Sequence, residues 1–534
     1  MIGRTVLAAF IFCTGILQAE EFESWVRSEV ARCRETGAHV ISVPKGTHHA
    51  WSAKATPKTL HLSNNDDGRK HLLFDLSGMT NLVIEGNGAE LIMHGHIIPF
   101  FMRDAQNITI RNLVIDWEHP FFGQGEILGV GEGWFDVRFE REYPVSVVNG
   151  ELFFMNPDLP ELMRMRSINF YDPQQGRVVY RSTDEYNIPL DYKAEIRKDG
   201  TVRIHTPRLQ SPIKPGHVGV FQYEGRSSPA VAAQRCRNIR LESVTEYHAA
   251  AIANLFEGVE DVYLSRVQVV PRPGSGRFFS SHHDASHFVD CRGDIHVHDC
   301  QFECQGDDSG NIHGVYRPVF RKMRDTVLRV KLIHFQQIGV DTLNAGDNVG
   351  FYHADTLEML GEGRLASVLR PDAQTSDLVF AEPLPELVWS KVVVALREHD
   401  VDVEISGCRF AHNRARGWLI KTLGRVRIHD NYFRVQGTFE IDPTLGNPAS
   451  EVPIFGRIRI HHNRIHQIYR PLIIANNVEG FEFYENKISP GADFPMWHRG
   501  RQEVPDIRFG VGVTIGRFQK LNSNRGVIQS KGKE

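Results

Sequence analysis

Asp402-Val-Glu-Ile-Ser-Gly-Cys-Arg-Phe410, Arg425-Val-Arg-Ile-His-Asp-Asn-Tyr-Phe433, Arg457-Ile-Arg-Ile-His-His-Asn-Arg-Ile465 and Gly480-Phe-Glu-Phe-Tyr-Glu-Asn-Lys-Ile488 repeat one pattern. A polar or glycine start is followed by two alternating apolar residues, a polar step and a further apolar position. Strict alternation marks a strand with one buried face. Successive starts lie 23, 32 and 23 residues apart. Looser copies begin at Asn81, Asn107, Asn238, Asp261 and Asp294. A strand this short cannot bury its own apolar face, but stacked copies bury a continuous core. The expected fold class is therefore all-β, a right-handed parallel β-helix with one coil per copy. Asn431, Asn463 and Asn486 recur at one place in the pattern, which reads as an internal asparagine ladder at a coil bend. The competing reading is a sandwich whose strands share this spacing by chance.

Outward from these copies, the pattern lapses twice. Residues 120–225 carry hairpin turns at Asn149-Gly150 and Asp199-Gly200, and residues 318–400 carry another turn at Gly346-Asp347. Both read as antiparallel β modules inserted between coils. Near the start, Phe22, Trp25, Val26, Val30 and Cys33 share one face of a short helix that could cap the open stack. The implied organisation is a signal peptide over 1–19, the cap and first coils over 20–119, and an insert over 120–225. Coils with an acidic site follow over 226–317, then a second insert over 318–400, coils over 401–520 and a frayed tail over 521–534.

The chain has 534 residues, of which 41% are hydrophobic and 24% charged, which excludes a mostly disordered chain and a polytopic membrane protein. A net charge of −4 offers no basic field for nucleic acid. Arg4, the apolar run Val6–Leu17 and Ala19 before Glu20 read as a cleaved secretory signal, so the expected location is secreted or periplasmic, with no membrane insertion after cleavage. An uncleaved N-terminal anchor is the alternative. Beyond it lie Cys33, Cys236, Cys291, Cys300, Cys304 and Cys408, with no CxxC pair. Buried free thiols, with at most one bridge, are expected.

The chemistry concentrates in Ser281-His-His-Asp-Ala-Ser-His-Phe288 and Cys304-Gln-Gly-Asp-Asp-Ser-Gly-Asn-Ile-His-Gly314. Asp284 and Asp307 are 23 residues apart, one coil of the stack, and Asp308 follows directly. Three neighbouring carboxyls repel, some proton affinities rise, and an acid and a base can coexist at one pH. Glycoside hydrolysis needs that pairing. The coil rise is shorter than the roughly 6.5–9.5 Å of an inverting pair, a distance that side chains splaying apart on adjacent coils could reach. A calcium site, a solvated turn, or a metal site at His282, His283 and His287 are the competing readings. Around the acids, His248, Asn254, His287, Asn311, His313, Arg416 and Lys421 are candidate substrate-binding residues, each with a bland reading as a turn or ladder residue. Trp117 is a stacking candidate that, as a lone aromatic, reads more often as core.

Asp284-Ala-Ser-His-Phe288, Gly306-Asp-Asp308 with Asn311 and His313, Ile115-Asp-Trp117 with Gln124-Gly125, and Asn413–Thr422 together resemble glycoside hydrolase family 110 over most of the chain. The resemblance implies an exo-acting bacterial α-1,3-galactosidase on a β-helix interrupted by β-barrel modules. It also implies inversion, a glycan substrate with terminal α-galactose (blood-group B or linear type), and neither metal nor organic cofactor. Asp284, Asp307 and Asp308 match its acidic triad. By similarity to polygalacturonases, Asp307 is the general acid, and Asp284 and Asp308 handle water, with a swap of roles left open. A polygalacturonase-like hydrolase of acidic polysaccharide, a calcium-dependent lyase and a non-catalytic carbohydrate-binding β-helix are the alternatives. The inserts also admit a homo-oligomer as partner.

Overall fold

The computed structural model describes residues 11–518 apart from 180–181, 183–184, 186, 356–357, 398–400, 423, 435–436, 442–456, 467–472, 476–477, 479, 490–506 and 510–513. The first ten residues of the expected signal segment and the expected tail lie outside the described residues.

Parallel strands stack in register, as the sequence pattern requires. Val403 pairs with Val426, Val426 with Ile458, and Ile458 with Phe481. These residues, with Ile405, Ile428, Ile460 and Phe483, point inward and are buried. The alternate positions face outward and pair along the stack, Arg427 with Glu404 and Arg459 with Glu482. Each coil then bends at one residue of positive φ, namely Asp299, Gly407, Asp430, His462 and Glu485. Just after the bend runs a polar column inside the coil. The Asn431 Oδ1 accepts from the Cys408 N–H (2.8 Å), Asn463 Oδ1 from Asn431 N–H (3.0 Å) and Asn486 Oδ1 from Asn463 N–H (3.0 Å). The expected asparagine ladder is present, and Cys408 extends it upward.

A third run of parallel strands positions the site. It includes Asn254–Glu257, Ser286–Val289, Gly310–His313 and Arg416–Ile420. Ser286 is opposite Gly310, and Gly310 opposite Trp418. A Cβ on Gly310 would lie 2.2 Å from the Trp418 ring, so glycine is what lets the indole fill the coil there.

Two antiparallel units leave this stack. One joins Phe122–Gly131, Trp134–Phe139, Ser167–Asp172 and Val218–Gln222 with three shorter strands. The other is a closed six-strand barrel from Arg317–Arg324 to Val392–Leu396 with its own apolar core. The helix at the start is longer than the sequence suggested, Ile11–Thr36. Its face of Phe22, Val26, Val30 and Cys33 is buried, and Glu23 accepts from the Trp51 N–H at 2.7 Å. No helix among the described residues is long and apolar enough to cross a membrane. Cys33, Cys236, Cys291, Cys300, Cys304 and Cys408 are all buried, and none of them is in a disulfide.

Candidate functional site

The register corrects one expectation. Ser286 and Gly310 are 24 residues apart, so Asp308 rather than Asp307 stacks on Asp284, and Arg416 stacks on Asp308 one coil further. Backbone bonds from Ala285 N–H to Asp308 O and from Ser309 N–H to Arg416 O fix this alignment. Asp307 precedes the stacked position and is the most open of the three, with its side chain 22% exposed against 5% for Asp284 and 1% for Asp308. All three carboxyls offer an oxygen within 4.8 Å of the others. At these nearest oxygens the side chains do not splay apart. The cause is that Asp284 Oδ1 accepts the Asp308 N–H at 3.2 Å, and Arg416 grips Asp308.

Their electrostatics divide. Burial raises Asp308 to about 7, Arg416 opposing and the other two carboxylates assisting. Arg416 gives Asp308 its backbone N–H at 2.8 Å, Nε at 2.9 Å and Nη2 at 2.7 Å. Burial and the nearby Asp307 charge likewise raise Asp284 to about 7. Burial pushes Asp307 up too, but it is overruled by Arg414, His283, Arg416 and Arg226, which hold it far below the usual carboxylate range. Arg414 Nη2 is 2.9 Å from its Oδ1, and Arg226 and His283 are each 3.9 Å from Oδ2. Three guanidiniums thus supply the positive charge that a divalent ion would bring to such a cluster, and the set does not suit a metal.

A proton chain backs Asp284. Its Oδ2 is 2.6 Å from His287 Nδ1, His287 Nε2 is 2.9 Å from His313 Nε2, and His313 Nδ1 is 2.8 Å from Gly314 O. Each short contact between two lone pairs needs a proton, and the carbonyl can only accept. Asp284, His287 and His313 together then hold three protons and no net charge. Either Asp284 is a neutral acid, or it is ionised against an imidazolium. Asn64 Nδ2 closes on the same pair, 2.8 Å from His287 Nε2.

Asn311 is next to His287 in register, with its Oδ1 unmatched by protein. Lys421, buried, follows Ile420 at the level of His313. Two expected binding residues lie elsewhere. His248 sits among Trp117, Phe121, Phe122 and His282, donates Nδ1–H to Ser280 O and accepts the Phe121 N–H, so both nitrogens are spent on backbone. Asn254 faces the coil interior, where its amide donates to Glu246 Oε2 at 3.1 Å and Ala285 O at 3.2 Å. Trp117 is fully buried core, its Nε1 donating to Gly95 O.

The sequence reading missed Arg226, Arg414 and Asn64. Arg414 lies in the Asn413–Thr422 segment, two residues before Arg416, and coil alignment against Gly306 would have found it. Arg226 and Asn64 stand on connections outside the repeat and carried no signal.

Family models described as GLAA-B beta-barrel domain I and GLAA-B beta-barrel domain II match residues 123–218 and 327–391. The chain is 30% identical over 515 residues to alpha-1,3-galactosidase A of Shewanella woodyi, covering 88% of this chain and 83% of that one. It is 23% identical over 527 residues to alpha-1,3-galactosidase B of Bacteroides thetaiotaomicron, covering 90% and 85%. Among solved structures, the A-module of the Azotobacter vinelandii mannuronan C-5 epimerase AlgE4 aligns over 95% of both chains at 9% identity, with a TM-score of 0.33 too low to weigh. On the extent of the Shewanella match and on both barrel domains, the chain belongs to the α-1,3-galactosidase family, glycoside hydrolase family 110.

Proposed function

We propose that the protein is an exo-acting hydrolase that releases terminal α-1,3-linked galactose from glycans with inversion. Export to the periplasm or medium, from the Arg4–Ala19 pattern, belongs to the same proposal. The observation that carries it is one site where three carboxyls meet with divided proton affinities, a buried pair raised to about 7 and a partly exposed partner held ionised. Asp307, the one open to a substrate, protonates the leaving oxygen, and Asp284 and Asp308 hold and deprotonate water. In the resting site the proton sits on the buried pair. Asp307 therefore serves as the acid once a bound sugar, by excluding water and drawing its guanidinium partners away, lifts its proton affinity toward theirs. Under the swapped roles the buried pair donates directly. Arg226, Arg414 and Arg416 keep the net charge of the cluster near balance while the proton moves.

The short carboxyl spacing favours a second reading. It falls below the inverting range of roughly 6.5–9.5 Å and suits double displacement, with ionised Asp307 as nucleophile. Proton NMR of the first-formed galactose decides between them: the β-anomer appears first under inversion, and an α-anomer at early times would establish the second reading instead.

Either route needs the pair's proton. The raised affinities of Asp284 and Asp308 mean the proton is present below about 7 and lost above it. Accordingly kcat/KM falls on the alkaline side with an apparent pKa near 7 that belongs to the pair, by about tenfold per pH unit beyond it. A profile that stays level to strongly alkaline pH would contradict this proton inventory.

A further inference from the structure

The strand Arg292–His298 carries His296 and His298 two positions apart, so both rings point outward from the coil. One coil later, Glu404 lies opposite His296 in register. Three donor atoms converge there. His296 Nδ1 is 3.4 Å from Glu404 Oε2, His298 Nε2 is 4.0 Å from that same oxygen, and the two nitrogens are 3.4 Å apart. Zinc bonded at about 2.0–2.2 Å to nitrogen and oxygen holds tetrahedral ligand atoms about 3.3–3.5 Å apart. Two imidazole nitrogens here face the same carboxylate oxygen, whereas His94 and His119 each take a different oxygen of Asp158.

Each donor is also aimed. His298 Nδ1 is 2.6 Å from Ser406 Oγ, and with Nδ1–H donating there, Nε2 turns a lone pair to the cluster. The His296 ring stacks on Tyr263 with centroids 5.0 Å apart. Glu404 spends its other oxygen, Oε1, on Arg427 Nη2 at 2.8 Å and His429 Nε2 at 3.2 Å, which leaves Oε2 facing the histidines. Outer partners of this kind fix tautomer and orientation in metal sites. His296 and Glu404 also line a surface hollow of ≈ 410 Å³, which leaves room for water, and Asp294 and Asp402 stand there among Arg425, Arg427, Arg457 and Arg459.

We propose that His296 Nδ1, His298 Nε2 and Glu404 Oε2 form a zinc site, with water in the fourth position. Two imidazoles and one carboxylate suit zinc, whereas calcium and magnesium want oxygen alone. The ion would tie the coil before the six-strand barrel to the coil after it, across a connection of about a hundred residues. A clip that closes a long loop stabilises most in principle. The site is separated from Asp307 and Asp308 along the coil by the strand Gln301–Glu303, so its role is in holding the stack rather than in bond cleavage.

The full chain, stripped with chelator and dialysed, is titrated with Zn(II), and separately with Co(II), whose visible bands report a tetrahedral nitrogen–oxygen set. The wild type takes up one zinc that raises its thermal midpoint. His298→Gln and Glu404→Gln lose that uptake and that rise while keeping the wild-type circular dichroism. Ser406→Ala weakens binding by about 10–100-fold. A stripped chain that binds no zinc overturns the proposal. So does uptake unchanged in both His298→Gln and Glu404→Gln, which would assign the ion to His94, His119 and Asp158.

Discussion

Asp307→Asn lowers turnover of an α-1,3-galactosyl trisaccharide by about 10²–10⁴-fold, the usual span for a lost proton donor, yet costs far less on a dinitrophenyl α-galactoside. A phenolate that leaves without protonation does not need the acid, so the gap between the two substrates measures proton donation at the leaving oxygen. Asp284→Asn, by contrast, loses both substrates about equally, because water activation is common to them. Under the swapped roles the two variants would exchange signatures. The charge pattern makes this a sharp test: Asp307 is ionised at rest beside Arg414 and Arg226, while exposure makes it the carboxyl a sugar meets. Unchanged turnover of both substrates in Asp307→Asn would remove the residue from the chemistry altogether.

Asp290→Ala carries the largest expected loss of stability. Asp290 is fully buried at the foot of the six-strand barrel. Its Oδ2 accepts Arg317 Nη2 at 2.8 Å and the Thr342 hydroxyl at 2.5 Å, and its Oδ1 accepts the Val315 N–H at 2.7 Å. Arg317 is only 3% exposed, so removing the carboxylate strands a buried guanidinium. Breaking such a pair costs about 3–5 kcal/mol, whereas replacing both partners with apolar groups can be neutral. The urea midpoint therefore falls strongly in Asp290→Ala and recovers in Asp290→Ala combined with Arg317→Met. If the double variant is as weak as the single one, the stranded charge is not the cause.

The stack was legible because its physics is local. Alternation in Val403, Ile405, Val426 and Ile428 declares an inward face, and the recurring Asn431, Asn463 and Asn486 declare a bend with a polar column. The acidic cluster followed from spacing, though a coil of 24 residues moved the stacked partner from Asp307 to Asp308. Periodicity does not tell an inward polar residue from an outward one near a bend, which is why Asn254 and His248 were misplaced among the binding residues. Nor does it reach Arg226 and Asn64. They approach the cluster from connections, and Asn64 is 223 residues from His287 in the chain.

The route of the chain through the six-strand barrel has a consequence for biosynthesis. Asp308 and its partner Arg416 are 108 residues apart, with the whole barrel between them. At about 5–20 residues per second, a ribosome takes roughly 5–20 s to deliver the arginine after the aspartates. Of the four groups that hold Asp307 ionised, Arg226 and His283 precede it in the chain, whereas Arg414 and Arg416 follow the barrel. The carboxyl cluster is therefore complete only in a chain that carries both the barrel and the coil after it, because Arg414 and Arg416 arrive with that coil.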